Sequence, residues 1–369
     1  MDATKTFIIV SLKYNVGLYK YFKLIGNSVS KEYKVEYLLN KEYQKLSGAS
    51  DNNCLYLSST GKLNAIIQYL FFPVFLVKLK KIIDKTKPGY VLYYNFHPSN
   101  LLAALYFGLA YPKIKQVNFI HSTPGFPRNI YALNRRAVLL VHDMLQTVMV
   151  FICKYVVLPS QYSFETFRKT FPRLKDKALK AHLLVPGRKA DTINTNKIYF
   201  SYIGHINNTT GFDVFINLVK YAIDRNENFE YCIATSTLAA AKYLNGLDPK
   251  YLRHIKVINK SYISDSEIEK VLDESICLFK FVKFVEQSGN IPFAYSFGTA
   301  IIGSSAEGIK QDIKAGITGY TIDNINDMPE IINKMHLIKN NIKNISLNCR
   351  ELYKKEYSQE CFAKYYNWL

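Results

Sequence analysis

"FVKFVEQSGNIPFAYSFGTAIIGSS", residues 281–305, packs three patterns into one short stretch. An apolar run ends in an acid, Glu286; a Gln-Ser-Gly turn follows; an apolar helical segment then leads into a β-rich run that closes on two serines. Strand, small-residue turn, helix and strand in that order fit a parallel α/β sheet. The same letters also carry a chemical reading. A small side chain and a glycine at the start of a helix leave backbone amides open to an anion such as a phosphate.

Working outward, the pattern repeats on both sides. Toward the N-terminus lie "KIYFSYIGHI" (strand), "TGFDVFINLVKYAIDRN" (helix), "EYCIATS" (strand), "LAAAKYLNGL" (helix), "IKVINK" (strand), "SDSEIEKVLDES" (helix) and "ICLFKFV" (strand); toward the C-terminus comes "GYTIDN". A helical segment over 346–369 ends the chain. Upstream, "LLVPGRKADTINTNK" (183–197) has Pro, Gly and no periodicity, and reads as a passage between domains. Before it, strands are expected at 6–12, 34–39, 90–95, 116–122 and 154–160, with helices over 62–83, 99–110 and 161–170 and a helix start at Ser163. The expectation is two sequential α/β domains: 1–185, a linker at 186–196, 197–345, and a C-terminal helix over 346–369 that packs back on the first domain.

Composition bounds the function. A chain of 369 residues, 49% hydrophobic and 21% charged, can bury large cores and is not disordered. Six scattered cysteines without a C-x-x-C pair read as reduced thiols of an intracellular protein. "MDATKTFIIVSL" reads as a first strand, not a signal peptide. Charge is unevenly divided: residues 1–190 hold 28 Lys+Arg against 9 Asp+Glu, a net +19, while the remainder has equal numbers of each sign. The first half is therefore expected to meet something anionic. Two stretches, 63–83 and 135–158, approach the length of a membrane span, but Pro73 breaks one and His142, Asp143, Gln146 and Lys154 interrupt the other. Core helices, or helices resting on an anionic bilayer, fit both. No Walker motif, G-x-G-x-x-G, H-E-x-x-H or nucleic-acid-binding motif occurs, so no metal, dinucleotide or nucleic-acid partner is expected.

These residues resemble the GT-B fold glycosyltransferases, in particular the large retaining family (glycosyl transferases group 1, GT4-like) of bacterial surface-polysaccharide enzymes. The resemblance lies in "YFSYIGHINNTTGFDVFINL", "EQSGNIPFAYSFGTAII", "SSAEGIKQDI" and "AGITGYTID", and thinly in "VNFIHST". It implies two Rossmann-like domains facing across a cleft, a nucleotide-sugar donor on the second domain and an acceptor on the first. By the same resemblance Glu286 accepts hydrogen bonds from sugar hydroxyls, and His121 borders the cleft as a catalytic candidate, the base if the reaction inverts. Ser288 and Gly289 seat the diphosphate, with Gln287 and Asn290 beside them. Gly204, His205, Lys280 and Lys283 complete the donor-binding set; Gly17, His97 and Ser122 are acceptor-side candidates. The chain departs from the family pattern where a second glutamate is usual, having Phe293 or Ala294 there, and has His205 and Thr210-Gly211 where basic residues are common.

The expectation is a metal-independent glycosyltransferase acting on a glycan or polyprenyl-diphosphate-linked acceptor in capsule or O-antigen assembly, cytoplasmic and peripheral at the inner face of the membrane. Two other readings fit less of the chain. A non-catalytic GT-B-like subunit agrees with the missing glutamate but leaves the "EQSGN" turn without a purpose. A sugar-nucleotide epimerase has no need of a basic half.

Overall fold

The computed structural model describes residues 6–12, 16–45, 54–57, 72–94, 96–124, 133–188, 192–237 and 239–367. They fall into two compact units, Met1–Leu184 with Phe362–Leu369, and Val185–Cys361.

The first unit is built on a seven-stranded sheet in the order β3-β2-β1-β4-β5-β6-β7. Its strands are β1 (Thr6–Ser11), β2 (Lys34–Asn40), β3 (Cys54–Leu57), β4 (Pro88–Tyr93), β5 (Lys115–Phe119), β6 (Tyr155–Leu158) and β7 (Ala178–Lys180), each parallel to its neighbours. Parallel strands are covered on both faces, which is why β1, "TFIIVS", is apolar almost throughout and buried at every position. The connecting helices are α1 (Val16–Val29), α2 (Phe72–Thr86), α3 (Pro98–Ala110), α4 (Leu133–Ile152) and α5 (Gln161–Thr170). Residues 62–71 of the expected 62–83 helix lie outside the described residues; α2 carries the remainder and runs on to Thr86. The α5 helix has the expected bounds, 161–170, and Ser163, expected as a helix start, is its third residue. Ser160 is its N-cap, and the Ser160 and Ser163 hydroxyls each accept from the other's backbone amide (3.0 and 3.1 Å) in a reciprocal cap. No helix among the described residues is long and apolar enough to cross a membrane.

The second unit has six strands in the order β10-β9-β8-β11-β12-β13. They are β8 (Tyr199–Ile203), β9 (Glu230–Thr235), β10 (Ile255–Asn259), β11 (Ser275–Lys280), β12 (Ala300–Ser304) and β13 (Gly319–Ile322), all parallel. Helices α6 (Phe212–Asp224), α7 (Ala239–Leu244), α8 (Pro249–Leu252), α9 (Asp265–Glu274), α10 (Asn290–Ser296), α11 (Glu307–Lys310), α12 (Met328–Asn340) and α13 (Ile342–Glu356) connect and cover them. The strand order reverses between β8 and β11, the place where doubly wound sheets open a crevice at their carboxyl edge. In the first unit the reversal falls between β1 and β4.

The expected single helix over 346–369 is two. The α13 helix begins earlier, at Ile342, and stops at Glu356; α14 (Phe362–Tyr365) follows a 3₁₀ turn at Gln359–Cys361 and belongs to the first unit. There Tyr366 is buried beside Tyr94, and the Tyr365 ring meets the His182 ring at 5.2 Å.

The segment from Val185 is strapped to its own unit by buried polar side chains. Tyr353 Oη donates to the Val185 carbonyl (3.1 Å), and Arg350 donates to the carbonyls of Ser296 and Arg188. Lys197 is 9% exposed and donates to the carbonyls of Leu272, Asp273 and Phe297 and to Thr299 Oγ1. Burial lowers its pKa to about 8, with Asp273 opposing. The unfolded chain therefore binds more protons than the folded one between about 8 and the ordinary lysine value of 10.5, and this lysine's contribution to stability rises with pH across that window. Lys197→Met takes away the donor to the Phe297 carbonyl and one of the donors to those of Leu272 and Asp273, which keep Thr299 Oγ1 and Asn194 Nδ2. It is expected to destabilise the chain by about 2 kcal/mol in urea titrations at neutral pH, and to remove that rise.

Candidate functional site

The site in the second unit is assembled where β8 and β11 end side by side. The β8 strand ends at Ile203, followed by Gly204 at φ +144°, a conformation open to glycine and few other residues. The β11 strand ends at Lys280, whose Nζ donates to the Ile203 carbonyl at 3.1 Å. Asn290 Nδ2, from the first residue of α10, reaches the same oxygen at 3.4 Å. A Cβ on Gly204 would stand 3.9 Å from Lys280 Nζ. Three residues expected from the sequence at the donor site, Gly204, Lys280 and Asn290, thus gather around one backbone oxygen at the strand-order reversal. Burial lowers the Lys280 ammonium to about 8. A cation held in such surroundings gains more from an incoming anion than a hydrated surface lysine does.

Two loops interlock over this point. The loop 204–211 is folded by Asn207 Oδ1, which accepts from the Thr209 amide and hydroxyl (2.8 and 2.7 Å), and it ends at Gly211, the left-handed N-cap of α6 (φ +69°). The loop after β11 is pinned to it: the Lys283 amide donates to the Thr209 carbonyl (3.0 Å), and a Cβ on Gly211 would lie 2.3 Å from the Phe281 carbonyl oxygen. On the other flank Ser304, the last residue of β12, donates to the Val282 carbonyl (2.6 Å). A Cβ on Gly308 of α11 would lie 2.0 Å from the Val285 oxygen and 2.7 Å from that of Glu286. Of the two serines that close the 281–305 stretch, Ser304 is a structural tie.

Glu286 is buried (5% exposed) where Gly308 abuts its backbone; Gln287, Ser288 and Gly289 are half-buried. Ser288 and Gly289 stand eight and nine residues past the end of β11, farther from the strand than the sequence suggests. Gly289 is the N-cap of α10 in right-handed conformation, with no side-chain cap. The α10 helix has only seven residues, so few peptide dipoles add there, and Lys280 is the larger fixed charge. His205 and Lys283 are exposed; the His205 carbonyl accepts from Tyr202 Oη (2.8 Å). Where a second acid would stand, Phe293 meets Phe297 edge-on at 5.5 Å and Ala294 is fully buried.

In the first unit the acceptor-side candidates follow neighbouring strands. Gly17 lies in the first turn of α1 and not in a loop, because the helix already begins at Val16. His97 follows β4 as the N-cap of α3, its Nδ1 accepting from the Ser99 amide at 3.2 Å. His121 follows β5 with Ser122 beside it, both half-buried; the imidazole packs on Tyr94 and Phe119 with ring centroids 4.9 and 4.8 Å away.

Sequence reasoning missed the Ile203 carbonyl, Asn207, Gly308 and the Ser304 tie. A backbone oxygen has no letter, and Gly308 sits in "SSAEGIK" with nothing to distinguish it from an ordinary turn glycine.

No family model matches the chain, and no curated protein matches it by sequence. Solved structures do match it in shape. Anabaena Alr3699/HepE in complex with UDP superposes with a TM-score of 0.73 at 10% identity, over 97% of each chain. A glycosyltransferase from Rickettsia africae ESF-5 gives 0.70 at 12% identity, over 98% of this chain and 96% of that one. The apo form of the lipopolysaccharide outer core galactosyltransferase WaaB gives 0.64 at 13%, over 98% of both. At these identities the likeness is one of fold, and it spans both doubly wound units. The chain has the two-unit architecture of the GT-B glycosyltransferases.

Proposed function

We propose that the chain is a nucleotide-sugar-dependent glycosyltransferase. The convergence of Lys280, Gly204 and Asn290 on the Ile203 carbonyl at the β8–β11 reversal carries this reading. The reversal is where such sheets bind nucleotides, and a buried ammonium beside a glycine suits a diphosphate approaching closely. HepE, of like fold, is described in complex with UDP and with UDP-glucose. In this reading the donor diphosphate meets Lys280, Lys283, His205 and the amides of Ser288–Asn290, without a metal ion. Glu286 and Gln287 hold the sugar. Catalysis rests on positioning and on stabilising the leaving diphosphate, with retention of configuration; were the reaction inverting, His121 would be the base. The basic first unit takes a glycan or polyprenyl-diphosphate-linked acceptor, with His97, His121 and Ser122 on that side, in capsule or O-antigen assembly at the inner face of the cytoplasmic membrane. WaaB, a lipopolysaccharide galactosyltransferase of like fold, supports that pathway.

Calorimetry with UDP-, GDP-, ADP- and CMP-linked sugars, each beside its free nucleotide, tests the reading. One nucleotide sugar is expected to bind saturably, and Glu286→Ala to weaken it about tenfold while leaving the free nucleotide diphosphate unchanged. Failure of the whole panel with folded protein favours a non-catalytic subunit, the reading to which Phe293 and Ala294 at the second acid's place already lean.

A further inference from the structure

The α4 helix turns its apolar side outward. Val138, Val141, Met144, Val148 and Phe151 recur at three- and four-residue intervals, the spacing of one helix face, and all are exposed: Val138 by 69%, Met144 by 62% and Phe151 by 60%. Leu140 widens the stripe. Between Ala137 and Ile152 the sequence has one charged residue, Asp143, and its carboxylate is only 14% exposed, beside His142. The opposite side of the helix is already used, with Gln146, Met149 and Val150 buried. The stripe continues at one end onto α3, where Leu109 is 85% exposed. The adjacent Gly108 lies against Ile152, to which a Cβ on it would come within 3.7 Å. Scattered exposed apolar residues need no explanation; a whole helix face marks something that covers it.

The charge around this end identifies the cover. Lys177 Nζ donates to the carbonyls of Val150, Phe151 and Cys153, closing the C-terminus of α4. Around it the 168–180 segment carries five further Lys and Arg against one acid, Asp176, and Lys113 and Lys154 are exposed beside the ends of α3 and α4. A second copy of the chain would set these basic rims against each other. An anionic lipid surface complements them and accepts the apolar face between the headgroups.

We infer that the outward face of α4, with Leu109, is the surface by which this chain lies on an anionic phospholipid bilayer. The inference rests on the reading above for its lipid-linked acceptor, and assigns that membrane a contact surface.

The test is co-sedimentation of the full chain with vesicles of phosphatidylcholine, alone or with one third phosphatidylglycerol. Wild type is expected to sediment with the anionic vesicles, and less so in about 0.5 M salt. Met144→Glu/Phe151→Glu, at exposed positions, is expected to lower the bound fraction about tenfold with an unchanged melting temperature. Phe151→Trp, in a chain with one other tryptophan, is expected to shift its fluorescence to the blue on the same vesicles. A wild type that ignores the vesicles, a double variant that binds them as wild type does, or an unshifted tryptophan overturns the inference. So does a dimer in sedimentation velocity that the double variant dissolves. Nucleotide-sugar binding without vesicle binding sinks this inference alone; vesicle binding without nucleotide-sugar binding sinks the donor reading alone.

Discussion

Lys280→Met is expected to weaken binding of the nucleoside diphosphate by thirtyfold or more, about 2 kcal/mol. Methionine preserves the length and apolar stem of a side chain that is almost entirely buried, so the fold loses only the bond to the Ile203 carbonyl. What the site loses is its fixed positive charge, in surroundings where water screens it poorly. The pH dependence separates this account from a packing defect. Burial holds the ammonium at about 8 in the free protein. A bound diphosphate favours the charged form, so the complex takes up a proton wherever the free protein has lost one. Wild-type affinity is therefore expected to be level below about 8 and to fall above it, by up to about tenfold per pH unit. The variant's affinity should stay flat across the same window. A variant that binds as tightly as wild type, or shows the same decline, removes Lys280 from the donor site.

Gly211→Ala is expected to cost about 3 kcal/mol of stability and the nucleotide site with it. Two effects add. Gly211 holds φ +69°, where an L side chain is strained, and its Cβ would meet the Phe281 carbonyl oxygen at 2.3 Å and Phe281 Cβ at 2.5 Å. Neither neighbour is the free end of a flexible side chain. Relief therefore requires the loops after β8 and β11 to separate, carrying Lys283 away from Thr209. Gly246 of the same unit is the control, since a Cβ there meets nothing within 4 Å. Urea titration of the two variants should show a loss at Gly211 and a change of no more than about 0.5 kcal/mol at Gly246. Equal effects at both positions would contradict the interlocked loops.

Much of the fold was legible because parallel strands buried on both faces must be apolar nearly throughout. The runs at 6–12, 34–39 and 90–95 became β1, β2 and β4, and the alternation around residues 281–305 became β11, α10 and β12. Short elements escaped. The β7 strand is three residues, Ala178–Lys180, inside a segment whose lysines read only as charge, and β3 is four. The helix expected over 161–170 kept its bounds as α5, but its cap is Ser160 and not Ser163, and Glu356 ends α13 where composition alone promised one helix to the C-terminus. For the candidate site, the letters indicated the residues but not their meeting point. Gly204, Lys280 and Asn290 are 76 and 10 residues apart in sequence, and what joins them is the carbonyl of an isoleucine. The buried straps Lys197 and Arg350 were equally hidden, since nothing local marks a basic residue that will bind carbonyls some 50 to 160 residues away.

Residues 362–369 belong to the first unit although they follow the second in sequence, and this sets an order of assembly on the ribosome. The unit Val185–Cys361 is continuous in sequence and can close its core as soon as it has emerged. The first unit cannot, because Tyr366, buried beside Tyr94, is made only after the whole of Val185–Cys361. The half translated first therefore finishes second, waiting with an incomplete aromatic core while its successor folds.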